Sequence, residues 1–295
     1  MPAADASAEP FRLAPRAFIA RHFAPKPSTK TTASSASSSG PNSDDAPKRP
    51  PAPHVLGTGA IVFDQPLPTS SASGASTATA AGDNEDNKPP PPRVLLVQRA
   101  PHDSMPLKWE VPGGGCDEDD PSILHSCARE LLEEAGLRAT AVGPLIRCPA
   151  SSAARKEEKN KTTTTTFSDA AGPREGEGWE PAWGEHMGGQ FFFSRSGKLV
   201  CKFQFVVEVE RRTPTGSGAP EVRLDPNEHF AYVWATEAEV RAKAIEAATN
   251  PGGIVRADGT RADETALQFA SREQWDVVLD AFQLWKGEGE LVATD

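Results

Sequence analysis

Cysteine, tyrosine and long apolar runs are scarce in this chain, and each shortage narrows what it can be. Its 295 residues hold four cysteines, Cys116, Cys127, Cys148 and Cys201. None form a Cys-x-x-Cys pair or stand at zinc-finger spacing from the six histidines, which argues against a disulfide framework and a structural zinc site. Cys127 and Cys201 fall on apolar faces and read as small buried thiols, in keeping with a reducing compartment. No run of about eighteen apolar residues is present, so no membrane-spanning helix is expected. The N-terminus lacks the apolar core of a signal peptide. Arg12, Arg16 and Arg21 lie among Phe11, Phe18, Ile19 and Phe23, a faint resemblance to a mitochondrial presequence that Asp5, Glu9 and Pro15 oppose. A cytoplasmic location is expected, with the mitochondrion the lesser alternative. Basic charge is also short, 31 Lys and Arg against 41 Asp and Glu, for a net charge of −10. That balance disfavours a partner gripped by polymer phosphates, whether DNA or RNA. It leaves room for a small phosphorylated ligand held through a metal.

Apolar residues are missing over whole stretches. Residues 27–53 are almost entirely Pro, Ser, Thr, Ala, Lys and Asp; residues 65–92 are similar and end in the run Pro89–Pro92; residues 149–188 include the run Thr162–Thr166. Such segments bury too little apolar surface to offset the entropy of ordering them. The expected organisation is a mostly disordered segment over 1–53 and one domain over 54–295, with low-complexity insertions at about 65–92 and 149–188.

The remaining sequence is patterned. Val55–Phe63 and Arg93–Arg99 read as strands, expected to pair as a hairpin across the 65–92 stretch. Leu199–Glu210 alternates Cys201, Phe203, Phe205, Val207 and Val209 with Lys202, Gln204, Val206 and Glu208, a half-buried strand apart from Val206. Further strands are expected at Ala139–Ile146, Gln190–Phe193 and Ala231–Trp234. Thr236-Glu-Ala-Glu239 predicts a capped helix to about Ala248, and Ser271-Arg-Glu-Gln274 another, carrying Trp275, Val278, Leu279, Phe282 and Trp285 on a docking face. The clearest helix is Pro121–Ala135, with Asp120 as N-cap, Leu124, Cys127, Ala128, Leu131 and Ala135 on its apolar face, and Gly136 as its left-handed stop. Strands and helices in this order predict an α/β sandwich with a mixed sheet.

The polar face of that helix carries the chemistry. Glu130, Glu133 and Glu134 stand at i, i+3 and i+4, so like charges are neighbours, close to a helix C-terminus that already disfavours anions. The plain alternative is a solvated acidic face with Arg129 as its counter-charge. A divalent cation would turn the repulsion into attraction, and Mg²⁺ is commonly shared between carboxylates and substrate phosphates. Pro112-Gly113-Gly114-Gly115 just upstream marks a turn of unusual backbone geometry.

The segment Gly113–Leu137, GGGCDEDDPSILHSCARELLEEAGL, resembles the signature of the Nudix hydrolase family, G-x5-E-x7-R-E-U-x-E-E-x-G-U with U aliphatic. Its second half matches at Arg129, Glu130, Leu131, Glu133, Glu134, Gly136 and Leu137. The approach Trp109-Glu-Val-Pro-Gly-Gly114, and more loosely Leu224-Asp-Pro-Asn-Glu228-His229 with Tyr232-Val-Trp234, extend the resemblance over roughly residues 55–286. The first half departs from the pattern: counted from Gly114, the early acid is Asp120, and eight residues rather than seven precede Arg129.

The resemblance implies a Nudix-type α/β/α sandwich and a Mg²⁺-dependent pyrophosphohydrolase acting on a nucleoside diphosphate linked to a moiety X, with Mn²⁺ able to substitute. It implies Glu130, Glu133 and Glu134 as metal-binding glutamates, Arg129 as the arginine that orients them, and a backbone carbonyl of the glycine turn, taken as Gly114, as a further ligand. A one-residue insertion near the helix start puts Asp120 or a neighbouring acid in the place of the early glutamate. The catalytic base stays open between a helix glutamate and a loop acid such as Glu228. The implied partner is a small phosphorylated, nucleotide-derived substrate; substrate-binding residues and oligomeric state are unassigned. A second reading is a nucleotide-sensing protein that retains the fold without efficient cleavage, supported by the displaced early acid. Trp109 is read either as a stacking platform or as packing under the turn, His125 as a surface residue, and Lys202 and Gln204 as groove or solvent residues.

Overall fold

The computed structural model describes residues 6–23, 52–68, 90–146, 188–211, 218–246, 250, 252–262 and 265–287. The greater part of each low-complexity stretch named above, and Cys148, lies outside them. The described chain forms two four-stranded sheets flanked by helices. In the first sheet, β1 (Val55–Ile61) runs parallel to β6 (Leu199–Val209), and β4 (Ala139–Ile146) runs antiparallel to β6 on its other side. This is the expected mixed sheet. Short β5 (Gln190–Phe193) also pairs antiparallel with β6, end to end with β4: Ile146 is opposite Gln204 and Gln190 is opposite Lys202. The second sheet is antiparallel in the order β3 (Trp109–Glu110), β2 (Arg93–Arg99), β7 (His229–Thr236), β8 (Val255–Arg256).

The expected β1–β2 hairpin does not form. The two strands belong to different sheets and meet through one bridge, Phe63 to Val94, where the chain leaving β1 passes from the first sheet to the second. Nor is β6 half-buried. It is the inner strand of its sheet, with Phe203, Phe205 and Val207 in one core and Val206 in the other, and Gln204 is only 2 % exposed. Val206, the one apparent break in the alternation, marks the second covered face. Gln204 Oε1 accepts from Gln274 Nε2 at 2.9 Å, while its own Nε2 is buried without a hydrogen-bond partner among the described residues.

Among the described residues four α-helices complete the layers: α1 (Pro15–Phe23), α2 (Ile123–Ala135), α3 (Glu237–Ala242) and α4 (Arg272–Trp285). The core on one side joins Leu56, Ala60, Phe203 and Phe205 to Ile123, Cys127 and Leu131 of α2; the other joins Ile61, Val206, Leu96 and Val233 to Val277, Val278 and Phe282 of α4. Ser271 caps α4 by accepting from Gln274 N–H at 3.1 Å, but the Gln274 side chain is committed to Gln204 and does not complete the box. The Thr236–Glu239 box is complete, yet α3 stops at Ala242 rather than near Ala248, because Lys243 takes a left-handed conformation at φ 54°.

The N-terminal segment, expected to be mostly disordered, includes an ordered piece. A 3-10 helix over Ala6–Arg12 and α1 lay Phe11 and Phe18, 2 % and 0 % exposed, against Phe203 with ring centroids 4.8 and 5.4 Å apart. Phe11, Phe18 and Phe23, three aromatic anchors without a sustained helical stripe, leave little periodic signal, but each buries enough apolar area to help hold a short segment in place.

Candidate active site

The site begins with the glycine turn. Gly113 has φ +144°, and a Cβ there would lie 2.2 Å from the Thr58 carbonyl oxygen, so no other residue fits without moving β1. The turn is fastened to β1 by Ala60 N–H donating to Pro112 O at 2.8 Å and Thr58 N–H donating to Gly114 O at 2.9 Å. Helix α2 then starts later than expected. Ser122, not Asp120, is its N-cap, accepting from His125 N–H at 3.1 Å. Asp120 is thereby released for a different task. The Gly136 stop is as expected, with φ +67° and its N–H donating to Leu132 O.

Arg129 is the hub of the exposed part of the site. Its guanidinium donates to Asp120 at 3.2 and 3.0 Å, to Glu130 at 2.8 Å, to Glu133 at 2.9 Å and to the Gly115 carbonyl at 3.0 Å. Burial alone would raise the Asp120 pKa, but the Arg129 hydrogen bonds outweigh it and hold the carboxyl below its usual value. Asp120 thus joins the turn to the helix through Arg129. The extra residue of the spacing is absorbed by Pro121 and Ser122 before the first helical turn.

Glu134 is different. It is buried beneath the turn and accepts from Gly113 N–H at 2.5 Å. Burial, with Glu110 and Glu130 as neighbouring carboxylates, pushes its pKa up to about 8 against the pull of that hydrogen bond and Lys202. Glu130 is also raised, by burial first, although Arg129 opposes the shift. Gly114 leaves the Glu130 carboxylate its room: a Cβ on Gly114 would sit 2.5 Å from Glu130 Oε2.

The opposite wall comes from the turn leading into β7. Glu228 and His229 N–H groups both donate to Asp225 O, at 3.1 and 2.8 Å, and Glu228 O accepts from Ala100 N–H at 2.9 Å. One ligand atom from each of Glu134, Glu228 and His229 lies within 4.8 Å of the other two. Below them, buried Glu110 pairs with Arg99, which also holds Asp103 at 2.6 Å.

The turn and α2 thus bring Gly114, Asp120, Arg129, Glu130 and Glu133 together, with Glu134 linking this group to Glu228. Asp120, Glu130 and Glu133 share one guanidinium, that of Arg129, and oxygen donors crowded in this way suit a divalent cation. Trp109 is fully buried and packs under the turn rather than stacking on a ligand, and His125 is exposed as expected. Two functional neighbours carry little signal in the sequence. Glu110 and His229 are single polar residues at strand ends, and only the pairing of β2 with β3 and β7 brings them to the glutamates.

A family model described as "NUDIX domain" matches residues 78–194, a span that includes the whole glycine turn and α2. The search of curated proteins finds no match. Among solved structures, the MutT protein of Methanosarcina mazei Go1 is similar at 16% identity, covering 66% of this chain and 83% of that one, with a TM-score of 0.34. A C. elegans Ap4A hydrolase binary complex is similar at 13% identity over 79% of this chain and 98% of that one, with a TM-score of 0.39. A Nudix hydrolase from Nitrosomonas europaea is similar at 13% identity over 82% and 97%, with a TM-score of 0.36. The domain match falls on the segment whose arginine and glutamates the fold gathers around one glycine turn, so this part of the chain is similar to a NUDIX domain in sequence.

Proposed function

We propose that this chain is a Nudix pyrophosphohydrolase that uses Mg²⁺, with Mn²⁺ as a substitute, to cleave a nucleoside diphosphate linked to a further moiety X. Glu130, Glu133 and Glu134 are the residues that would hold the ion, with the Gly114 carbonyl as a backbone donor; that oxygen already accepts from Thr58 N–H and keeps a second lone pair. A bound divalent ion supplies charge neutralisation of the diphosphate oxygens and a more acidic water.

The protein's own part is arrangement. Arg129 spaces Glu130 and Glu133 and is itself fixed by Asp120 and the Gly115 carbonyl. Gly113 N–H orients Glu134 from the opposite side. The water's proton passes to a carboxylate of this set or to Glu228. The observation that carries the reading is the Arg129 hub, one guanidinium tying the turn, Asp120 and two helix glutamates into a single unit. Asp120 reaches Arg129 despite its displaced position, which supports the hydrolase reading over a sensing one.

The test is a panel of nucleoside diphosphates linked to different groups, assayed with Mg²⁺ and with Mn²⁺ beside Glu133→Gln. Glu133 has 56% of its side chain exposed, so the variant should fold normally and lose turnover by orders of magnitude. Unchanged turnover removes Glu133 from the mechanism. Tight binding of the panel without turnover favours the sensor.

A further inference from the structure

The wall opposite the helix glutamates contains a nitrogen donor that the proposed hydrolysis does not use. His229 is 2 % exposed, and its Nδ1 is buried with no hydrogen-bond partner among the described residues. A buried ring nitrogen left in that state is costly and calls for a partner. Two carboxylates are at hand: a His229 ring nitrogen, a Glu134 oxygen and a Glu228 oxygen lie within 4.8 Å of one another.

We infer that Glu134, Glu228 and His229 form a mixed carboxylate–imidazole position for a divalent transition-metal ion, distinct in donor type from the all-oxygen group around Glu130 and Glu133. The inference deepens the hydrolase reading and rests on it. The spacing agrees with it: two donors each about 2.1 Å from one ion stand at most about 4.2 Å apart, so side-chain rotations of less than about 1 Å close the set. The backbone agrees as well. The Asp225 carbonyl fixes both Glu228 and His229 N–H groups, while α2 fixes Glu134, so the donors come from two rigid elements. Exposed Glu228 provides the entry and the two buried donors the floor.

The charges facing His229 also agree. Arg99 and Lys202 are its cationic neighbours and Asp103 and Asp225 its anionic ones. Arg99 is itself held by Glu110 and Asp103 and does not neutralise the Glu134–Glu228 pair. An imidazole donor favours transition metals, whereas all-oxygen sets suit Mg²⁺. This position therefore selects Mn²⁺ or Zn²⁺ over Mg²⁺, and it makes Glu228 a metal ligand rather than the base.

The experiment loads the full chain with Mn²⁺ and reads directly coordinated ¹⁴N by pulsed electron paramagnetic resonance, with calorimetric Mn²⁺ and Mg²⁺ titrations alongside. The expected result is a ¹⁴N coupling that survives Glu133→Gln and vanishes in His229→Gln, with the Mn²⁺-over-Mg²⁺ preference falling by about tenfold or more in the latter. Because His229 is buried and its variant could fail to fold, Glu228→Gln at an exposed position serves as the second test and should weaken Mn²⁺ binding at least about tenfold without lowering the melting temperature. Mn²⁺ that binds without any ¹⁴N coupling, or with an affinity indifferent to Glu228→Gln, overturns this inference and leaves the hydrolase reading standing. Failure of either ion to bind at all overturns both.

Discussion

Three adjacent glycines at the turn meet three different surroundings, and alanine at each should give a different outcome. At Gly113 the new methyl would lie 2.2 Å from Thr58 O and 2.6 Å from Gly59 Cα, in a backbone conformation with φ +144°. Both obstacles are backbone, so β1 must move; overpacking and strain together cost about 3 kcal/mol, on the order of 10 °C in melting temperature. At Gly114 the obstacle is the Glu130 carboxylate, at 2.5 Å where ordinary contact begins at 3.4 Å, so it must retreat by roughly 0.9 Å. Only a side-chain end moves, and the fold should lose less than about 1 kcal/mol. The displaced group is one of the proposed metal ligands, and an error of about 1 Å in such a group costs on the order of 10²-fold in rate. At Gly115 nothing lies within 4 Å of the methyl. Its variant should melt with the parent and lose far less activity than Gly114→Ala. Thermal melts and kcat/KM with the best substrate of the panel separate the three. If Gly114→Ala keeps full activity, Glu130 does not need the position it has here. If Gly113→Ala melts with the parent, the turn is not fastened to β1 as described.

Two further outcomes follow from the ion pairs and the N-terminal anchor. Burial alone would raise the Asp103 pKa, but hydrogen bonds from Arg99 and Ser104 outweigh it and hold it down to about 2 from 3.8. A depressed carboxyl stabilises the fold above its unfolded pKa and loses that contribution as pH falls through the folded value. Asp103→Asn should therefore cost about 2 kcal/mol at pH 6 and nothing near pH 2, read by denaturant titration at each pH; a constant difference would refute the ion-pair account. Phe18→Ala, at a fully buried ring 5.4 Å from Phe203, should destabilise by about 3–5 kcal/mol in urea, and a loss below about 1 kcal/mol would mean that α1 does not belong to the core.

How much of this was legible in the sequence depended on whether the signal was local. Helix α2, its Gly136 stop and the Arg129–Glu134 face follow from spacing along one segment, and the family signature reinforces that reading. Its N-cap did not follow: Asp120 and Ser122 are both competent caps, and Asp120 was drawn away by an arginine nine positions later, at 3.0 Å. Strand pairing was the least legible level. The hairpin expected of β1 and β2 failed because β1 found a parallel partner in β6, far away in sequence, and nothing in either strand encodes that choice. Buried Gln204 read as outward-facing because its partner, Gln274, belongs to a helix 70 residues further along the chain. His229 and Glu110 join the site for the same non-local reason.

The topology also explains how the site around Arg129 accommodates so long an intervening segment. β6 has two neighbours with opposite duties. On one side β1 carries the backbone hydrogen bonds from Thr58 and Ala60 that fix the glycine turn; on the other, β4 and β5 lie end to end. Between them the chain leaves opposite Gln204 and returns opposite Lys202, so residues 147–189 span a gap of a single pairing position, opposite Phe203. The loop's ends are held together by the sheet whatever its length, and each doubling of a flexible loop adds only about 0.6 kcal/mol of closure entropy. β4 and β5 thus lie on the side of β6 away from β1 and the turn. Arg129, Asp120 and the glutamates depend instead on β1, α2 and the turn before β7, none of which must shift to admit the intervening segment. Sequence drift can therefore accumulate on the β4–β5 side of the molecule while the metal-facing side stays fixed by contacts within a few ångströms.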